Sequence, residues 1–186
     1  MGSLTVEQIV SADGYAADAD GGIDFFQAVD QGDQNDADQL AFLENVDAIL
    51  LGANTYRMFA GYWPDADPAV ERVAEPINRL PKFVVSNTLD RAPWGSGTIE
   101  VLRGDGTESA AALKERFGGI VVWGSLTLAD ALFEAGLVDT LRLRVVPVLI
   151  GEGRSFTPAS LGVRRLALDH VVSQPTGHVG LTYRVR

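Results

Sequence analysis

Gly124 and Ser125 stand between an apolar segment and a helix-forming one, an arrangement that is typical of phosphate binding. Residues 120–123 are expected to form a buried strand, and residues 126–135 a helix that ends at Gly136. The first N–H groups of a helix have no partner inside it, and the positive end of the helix dipole lies at the same place. An anion at the glycine would meet both. The sequence therefore predicts a nucleotide-binding surface in the C-terminal half of the chain.

A second junction of the same kind lies earlier in the chain, at Gly52. Residues 48–51 are apolar and are expected to form a short buried strand, and a helical turn is expected over residues 54–59. Strands that end in a glycine just before a helix are typical of dinucleotide sites in α/β proteins. The two junctions together indicate a ligand that carries phosphate.

Composition limits the class of protein. The chain has 186 residues, 46% of them apolar and 22% charged, and we expect a single globular domain over residues 1–186. It contains no cysteine, which excludes disulfides, thiolate catalysis and cysteine-ligated metal, and fits a cytoplasmic protein. The two histidines lack metal-ligand spacing, so no metal site is predicted.

Charge and hydropathy exclude two kinds of partner. The formal net charge is −10, and a chain this acidic repels nucleic acid and anionic membrane surfaces. No apolar run approaches the roughly 18 residues that cross a bilayer, and the N-terminus does not resemble a signal peptide. We therefore expect a small-molecule partner, with no nucleic acid and no membrane.

Strands and helices alternate along the chain, which indicates an α/β fold. Further strands are expected over residues 4–11, 82–86, 98–102 and 140–150, helices over 36–46 and 109–117, a short helix broken by Pro76 within 70–80, and loops over 12–24 and 61–68. Residues 164–173 and 178–186 are expected to form an antiparallel hairpin, so the central sheet should be mixed and mostly parallel, with helices on both faces. Pro147, inside the 140–150 strand, indicates an edge or a bulge because proline cannot donate to a ladder.

Six short motifs occur in an order and spacing that are specific when taken together. They are Ser11-Ala-Asp-Gly-Tyr-Ala-Ala17, Gly52-Ala-Asn-Thr-Tyr-Arg57, Val84-Val-Ser-Asn-Thr-Leu89, Trp123-Gly-Ser125, Gly136-Leu-Val-Asp139 and Pro147-Val-Leu-Ile-Gly-Glu-Gly153 followed by Phe156. By these motifs the chain resembles the dihydrofolate reductase-like family over nearly its whole length. Within that family the likeness is to the branch that contains the reductase domain of the riboflavin-biosynthesis deaminase-reductase and its stand-alone bacterial relatives.

The resemblance implies that NADPH lies across the carboxyl ends of the strands. It implies that Gly52, Asn54 and Thr55 face the diphosphate, that Ser86, Asn87 and Thr88 lie beside the adenosine ribose, and that Gly124, Ser125, Leu126 and Thr127 hold the diphosphate from the other side. It also implies that the nicotinamide lies at the end of the first strand, where Ala12 is expected to contact it.

One departure from the family pattern bears on the choice between NADPH and NADH. Dihydrofolate reductases carry a basic residue directly after the first of these glycines, where it meets the 2′-phosphate, and this chain has Ala53 there. A preference for NADPH would then depend on Ser86, Asn87 and an arginine from elsewhere, either Arg57 or Arg103. We expect NADPH, with NADH as the alternative.

Three aspartates are the candidate catalytic residues. Asp36 would open the first helix, where classical dihydrofolate reductases carry an acid that binds the pterin and helps to supply a proton, although the riboflavin branch does not rely on an acid there. Asp36 also fits a helix N-cap. Asp24 either lies at the rim of the expected pocket or caps a helix. Asp13 either contacts the cofactor or substrate or only closes a turn. Tyr15 and solvent are the alternative proton sources.

Tyr15, Trp63 and Gly151 are the candidate substrate-binding residues, although Trp63 could only pack its loop and Gly151 could only form a tight turn. We expect an NADPH-dependent reductase that transfers a hydride to a small heterocycle of the pteridine or pyrimidine type, or to a carbonyl compound. The alternatives are a nucleotide- or pterin-binding protein with little turnover, and a true dihydrofolate reductase. Relatives in this branch form dimers through the sheet edge and the C-terminal hairpin, so a homodimer is expected.

Overall fold

The computed structural model describes residues 1–29 and 33–186, and it describes the side chains of 1–29 and 37–186. The strands are β1 (Ser3–Ser11), β2 (Tyr15–Ala17), β3 (Ala48–Gly52), β4 (Lys82–Val85), β5 (Ala92–Trp94), β6 (Gly97–Leu102), β7 (Gly119–Trp123), β8 (Thr140–Val146), β9 (Arg154–Ser155), β10 (Leu166–Ser173) and β11 (Val179–Val185). The α-helices are α1 (Asp33–Leu43), α2 (Ala53–Ala60), α3 (Ala74–Arg79), α4 (Gly106–Arg116) and α5 (Leu126–Glu134). Short 3-10 helices cover Asp24–Ala28, Trp63–Asp65 and Ala159–Leu161.

Nine strands form one sheet in the order β10-β11-β8-β1-β7-β3-β4-β6-β5. The strands from β8 to β6 in this order run parallel, and β11, β10 and β5 add antiparallel edges. The middle strands are apolar because both of their faces are covered: every residue of β7 is buried, as are the first four of β3. β2 and β9 pair separately as a small antiparallel ribbon.

Each face of the sheet has its own hydrophobic core. α4 and α5 cover one face, where Leu113 and Leu132 are buried. α1, α2 and α3 cover the other face, where Leu43 and Tyr56 are buried; we call this the α1 face. Full burial of one such side chain contributes about 1.5–3 kcal/mol, so these contacts hold the helices in fixed positions around the carboxyl edge of the sheet.

A buried ionic network crosses the α1 face. The Glu7 carboxylate on β1 lies 2.9 Å from the Arg142 guanidinium on β8, and it accepts hydrogen bonds of 2.9 Å from the Gln39 amide and from the Trp123 indole N–H. Arg142 also donates to Asp38 on α1 at 2.5 Å. The side chains of Glu7 and Arg142 are only 4% and 7% exposed, so loss of either one would leave a buried charge without its partner. The network fixes α1 on the sheet.

The predicted fold is confirmed: the sheet is mostly parallel, helices lie on both faces, and an antiparallel hairpin ends the chain. Several details were wrong. The strand expected over 140–150 ends at Val146, so Pro147 lies outside it. Pro76 does not break α3, because it lies in the first turn, where a missing N–H costs no helical hydrogen bond. The loop expected over 12–24 contains β2, and β5 was not predicted. Within the described ranges, none of the helices has the length and apolar character needed to span a bilayer.

Candidate functional site

Strands β3 and β7 are neighbours, yet the helices that follow them pack on opposite faces of the sheet. β3 continues into α2 on the α1 face, whereas β7 continues into α5 on the other face. Between two such strands the carboxyl edge opens into a crevice, which is where open α/β sheets bind their ligands. Gly52 ends β3 and Gly124 follows β7, so the two glycine junctions border this crevice.

The two glycine junctions are in direct contact. The Gly52 amide donates a hydrogen bond of 2.7 Å to the Ser125 hydroxyl, and the Ser125 amide donates one of 2.9 Å to the Thr55 hydroxyl. The Ser125 hydroxyl donates in turn to the Trp123 carbonyl at 3.0 Å. These three bonds join the ends of β3 and β7 into one rim.

The rim requires an unusual backbone at two successive residues. Gly124 has a φ of +53°, and a Cβ there would lie 3.0 Å from the Thr55 hydroxyl oxygen. Ser125 has a φ of +52°, a left-handed conformation that costs a residue with a side chain about 1–2 kcal/mol. The hydrogen bonds of the Ser125 hydroxyl, which join the two junctions, offset that strain.

Both helices that begin at the crevice lack a side-chain cap. Neither Gly52 nor Ser125, which precede α2 and α5, offers a side-chain oxygen to the first turn. At α4, by contrast, Asp105 accepts hydrogen bonds from the amides of Thr107 and Glu108. The first-turn amides of residues 53–55 and 126–128 are therefore left for a ligand, with two positive helix ends behind them. Such a pair of helix ends suits a diphosphate.

The predicted cofactor residues on the next strand lie at the same edge of the sheet, since β4 pairs in parallel with β3. The Ser86 hydroxyl accepts from the amides of Thr88 (3.2 Å) and Leu89 (3.1 Å), so it closes its own turn. The Asn87 side-chain oxygen accepts from the Gly104 amide at 2.7 Å and ties this turn to the loop after β6. Asn87 and Thr88 are exposed, so they form the open wall of the edge.

Two exposed arginines are placed near these residues. Arg103 donates to the carbonyls of Asn87 (3.3 Å) and Leu89 (2.9 Å). Arg57, on α2, donates to the Asn54 side chain at 2.9 Å. A guanidinium has five N–H donors, so both arginines keep donors for a further partner.

Asp13 holds the loop after β8 against the end of β1. Its carboxylate accepts from the Gly151 amide at 2.8 Å and from the Ser11 hydroxyl at 2.6 Å. These two bonds, the Ser11 bond more strongly, lower the pKa of Asp13 because they stabilise its ionised form. Next to it, the Ala12 amide donates to the Val148 carbonyl at 2.8 Å, which fixes the same loop a second time.

Tyr15 lies beside Gly153, two residues after Gly151, where the β2–β9 ribbon follows this loop. Tyr15 pairs with Ser155, and its Cβ would lie 3.2 Å from a Cβ placed on Gly153. That added Cβ would also lie 2.1 Å from the Ala17 carbonyl oxygen, so only glycine allows the ribbon to approach this closely. The structure thus brings together Ala12, Asp13, Tyr15 and Gly151 beside the end of β1.

Trp63 belongs to a row of aromatic rings on the α1 face. The centroid of the Trp123 ring is 5.8 Å from that of Phe59, Phe59 is 6.0 Å from Trp63, and Trp63 is 5.0 Å from Tyr62. The last two pairs pack edge to face, a favoured arrangement for aromatic side chains. Trp63 therefore packs its loop onto α2 and connects it to the last residue of β7.

The structure defines the surroundings of the other two candidate aspartates, Asp24 and Asp36, less completely than those of Asp13. Asp24 is exposed and is the first residue of the 3-10 helix Asp24–Ala28, whose N-cap is Ile23, so the predicted capping role of Asp24 is wrong. α1 begins at Asp33 and not at Asp36, so the predicted helix start was three residues late (36 − 33) and Asp36 is not the N-cap. The side chain of Asp36 lies outside the described residues.

Two polar residues of β1 were missed in the sequence. Gln8 is 3% exposed and donates from its side chain to the Gly124 carbonyl at 2.7 Å, which fixes the orientation of that peptide. Glu7, on the opposite face, holds the indole of Trp123. Adjacent polar residues inside an otherwise apolar strand were the available signal, because buried polar groups need hydrogen-bond partners.

Comparison with known proteins settles the family. The family model described as the RibD C-terminal domain matches residues 3–179, a span that includes both glycine junctions and the loop held by Asp13. The chain belongs to the RibD C-terminal domain family. Among relatives of this RibD C-terminal domain protein, the uncharacterized protein YyaP of Bacillus subtilis (strain 168) is 26% identical over 154 residues, 81% of this chain and 78% of YyaP.

Solved structures share the fold. A protein described as a "putative riboflavin biosynthesis protein" from Shewanella sp. PV-4 is similar with a TM-score of 0.79 at 23% identity, over 99% of each chain. The diaminohydroxyphosphoribosylaminopyrimidine deaminase/5-amino-6-(5-phosphoribosylamino)uracil reductase of Thermotoga maritima gives 0.67 at 13% identity, over all of this chain and 57% of that one. Dihydrofolate reductase from Enterococcus faecalis, complexed with NADP(H), gives 0.64 at 16% identity, over all of this chain and 97% of that one. The RibD C-terminal domain described here therefore has a dihydrofolate reductase-like architecture.

Proposed function

We propose that this protein is a reductase that uses a nicotinamide dinucleotide, NADPH in preference to NADH, to reduce a small molecule. The observation that carries the proposal is the crevice between β3 and β7, where two uncapped helix N-termini meet across a closed rim. Membership of the RibD C-terminal domain family supports a reductase role. The named uracil reductase and the NADP(H)-bound dihydrofolate reductase of the same fold support the choice of cofactor.

The groups at the crevice fit the phosphate-bearing part of such a cofactor. The amides of residues 53–55 and 126–128 would hold the diphosphate. Local amides are needed because the chain has a net charge of −10 and its overall field repels anions. Among the side chains, Asn54 and Thr127 are exposed at these first turns, whereas Thr55 is buried and supports the rim.

The adenosine end would lie along Ser86, Asn87 and Thr88. Ala53 has no charge that could neutralise a 2′-phosphate, so one of the two nearby arginines must supply that charge. We favour Arg103, because its bonds to two carbonyls of the turn after β4 hold the guanidinium beside that turn. Arg57 would then only order the Asn54 side chain.

The nicotinamide end would lie at Ala12 and the loop that Asp13 holds. When bound, the nicotinamide supplies the hydride, and the protein must orient it, exclude water and deliver one proton. With its lowered pKa, Asp13 carries no proton to give at neutral pH, so we assign it a positioning role. Asp36, Asp24, Tyr15 and solvent stay as the proton sources, and Tyr15 is the one placed beside the Gly151 loop.

The substrate would lie on the α1 face of the crevice, between the Tyr15–Gly151 region and Trp63. We propose a small heterocycle of the pyrimidine or pteridine type, or a carbonyl compound, and the named uracil reductase and dihydrofolate reductase of the same fold support the heterocycle.

We also propose a homodimer through the C-terminal hairpin. β10 is the edge strand of the sheet, and Leu168 and Val171 on it are 56% and 52% exposed. An exposed edge with apolar side chains tends to pair with another chain. Sedimentation should give twice the chain mass, and Val171→Lys should shift the protein toward monomer; a wild-type monomer would contradict the dimer.

Binding and turnover of the full chain test the reductase proposal. NADPH should raise the melting temperature more than NADH does, since a ligand that binds only the folded state stabilises it. Arg103→Gln should reduce this difference, and Arg57→Gln should not. NADPH should then be oxidised in the presence of an acceptor from a panel of pyrimidines, pteridines and small carbonyl compounds. If neither dinucleotide shifts the melting temperature, the proposal is wrong; binding without oxidation by any acceptor favours a binding protein.

A further inference from the structure

Residues 147–157, which we call the β8–β9 segment, leave β8 at the carboxyl edge of the sheet and continue through β9. The first part of the segment is fixed at the end of β1. The Ala12 amide donates to the Val148 carbonyl at 2.8 Å, and the Asp13 carboxylate accepts from the Gly151 amide at 2.8 Å. This first part is where the proposed function places the nicotinamide.

The second part of the segment is fixed to a different element, helix α5. The Arg154 guanidinium forms an ion pair with Asp130 of α5. Its other terminal nitrogen donates to the carbonyls of Ser155 (2.8 Å) and Thr157 (3.4 Å), so one side chain holds both the segment and the helix. Among the residues that the structure describes, no other hydrogen bond or ion pair joins the β8–β9 segment to α5.

Asp130 lies close behind the first turn of α5. It comes four residues after Leu126 (130 − 126), which is a rise of about 6 Å along the helix. Its side chain is 19% exposed and that of Arg154 is 39% exposed, so solvent screens this pair less than it screens a fully exposed one. Burial raises the pKa of Asp130, and Arg154 opposes that rise. Arg154 is therefore the group that stabilises the ionised form of Asp130.

Packing on either side of Arg154 leaves the segment little room to adjust. Phe156, two residues later, packs against the core that α4 and α5 cover. Gly153, one residue earlier, lies so close to β2 that a Cβ on it would be 2.1 Å from the Ala17 carbonyl oxygen. The ion pair thus fixes how far the Gly151 end of the segment stands from α5.

That distance matters for a ligand that is held at both places. A nicotinamide dinucleotide joins its diphosphate to its nicotinamide through a single ribose, so the groups that hold the two ends must keep a defined spacing. The proposed site holds the diphosphate at residues 126–128 of α5 and the nicotinamide at the end of β1, which are separate elements. Small errors in the position of a bound group are costly for binding and for chemistry.

We infer that Arg154 is a positioning residue for the cofactor: through Asp130 it sets the loop that receives the nicotinamide at its distance from the helix end that receives the diphosphate. The inference rests on the proposed function for the identity of the cofactor. Loss of the ion pair should therefore weaken the contacts of the nicotinamide end and leave those of the diphosphate end unchanged.

Calorimetric titration of the full chain with two ligands separates these effects. The ligands are NADPH and 2′-phospho-ADP-ribose, which is the same molecule without its nicotinamide. Wild type should bind NADPH about 10-fold more tightly than 2′-phospho-ADP-ribose. Arg154→Met and Asp130→Asn should each reduce this ratio to about 2-fold or less through weaker binding of NADPH, with the affinity for 2′-phospho-ADP-ribose unchanged.

Three further variants distinguish positioning from a general effect on the fold. The double variant Arg154→Met/Asp130→Asn should lose no more than either single variant, because both changes break the same link. Arg154→Lys keeps the charge without the guanidinium fork and should keep part of the ratio. The control Arg184→Met removes the exposed ion pair with Asp169 on the C-terminal hairpin and should keep all of it. The nearly isosteric Asp130→Asn carries the test if Arg154→Met fails to fold.

The inference is overturned if the folded Arg154→Met or Asp130→Asn variant keeps the wild-type ratio. It is also overturned if either variant weakens both ligands equally, because the ion pair would then support only the fold. Equal binding of both ligands to wild type would overturn it and leave the cofactor site in place. Failure of both ligands to bind wild type would instead refute the proposed function, and this inference with it.

Discussion

The Gly52 amide donates a hydrogen bond to the Ser125 hydroxyl across 2.7 Å, joining two junctions that are 73 residues apart in the chain. This bond and the bond from the Ser125 amide to Thr55 use two of the amides that a phosphate would otherwise meet. The rim is therefore built by the protein itself, and the ligand is left with the first turns of α2 and α5. This division between amides that hold the rim and amides that remain open is the basis of the proposed cofactor site.

Ser125 should be replaceable by glycine at lower cost than by alanine. Ser125→Ala leaves the Gly52 amide without its acceptor, at a cost of about 1–3 kcal/mol in the free energy of unfolding, and keeps the left-handed strain. Ser125→Gly loses the same bond but relieves strain of about 1 kcal/mol. Urea unfolding should rank wild type above Ser125→Gly and Ser125→Gly above Ser125→Ala. A Ser125→Ala variant as stable as wild type would show that the hydrogen bond across the rim does not contribute to the stability of the fold.

The two arginines of β8 should differ sharply in their effect on stability. Arg142→Met leaves Glu7 and Asp38 in a buried site without their counter-charge, and should reduce the free energy of unfolding by about 3–5 kcal/mol. Arg144→Met removes no ion pair with any side chain that the structure describes, and should cost less than about 1 kcal/mol. Chemical unfolding of both variants measures the difference. An Arg144→Met variant destabilised as much as Arg142→Met would make Arg144 a structural counter-ion.

Asp13→Asn should slow NADPH oxidation without changing the shape of its pH profile. The pKa of Asp13 is lowered in the folded state, so its stabilising bonds are present above the ordinary value of 3.8 and are lost as the pH falls through the lower folded value. Across neutral pH the variant should hold the Gly151 loop less firmly, raising KM and lowering kcat by a constant factor. The pH profile of NADPH oxidation should keep its shape. Loss of a titration step in Asp13→Asn would identify Asp13 as the proton donor instead.

Lys82 should make stability rise with pH in the alkaline range. Its ammonium donates to the carbonyls of Ile77 (2.7 Å) and Leu80 (2.6 Å) near the end of α3, and burial lowers the pKa of Lys82 from 10.5 to about 8. Between these values the unfolded chain binds more protons than the folded one, so raising the pH favours folding.

Lys82→Met lacks this titration and serves as the reference. The free energy of unfolding of wild type minus that of Lys82→Met should stay flat below pH about 8 and increase from there to about 10.5. A difference that instead decreases over this window would mean that the carbonyl bonds outweigh the cost of burial.

Local features of the chain could be predicted from the sequence. A strand, a glycine and a helix follow one another within a few residues at Gly52 and at Gly124, so propensity and helix-end chemistry were enough to find both junctions. The antiparallel hairpin of β10 and β11 could also be predicted, because two strand patterns on either side of a short turn are likewise a local feature. Errors occurred where tertiary packing decides the outcome, as for the three-residue β5 and the strand end at Val146.

The parts of the site that depend on distant contacts could not be predicted. Asp13 accepts from an amide 138 residues away, and the sequence pattern of a turn is the same whether or not that loop is present. Gln8 reaches the Gly124 carbonyl because β1 lies beside β7, whereas its place in an apolar strand indicates only that it needs a hydrogen-bond partner. Strand neighbours are set by the global fold, which is why side chains that meet across the sheet had to be read from the structure.

Amide hydrogen exchange of the full chain, with and without NADPH, tests the cofactor site most directly. NADPH should slow exchange at residues 53–55 and 126–128, the uncapped first turns of α2 and α5. Exchange at the Thr107 and Glu108 amides, which Asp105 already caps, should not change and is the internal control. If saturating NADPH leaves both first turns unprotected, or protects a different part of the chain, the crevice between β3 and β7 is not where the cofactor binds.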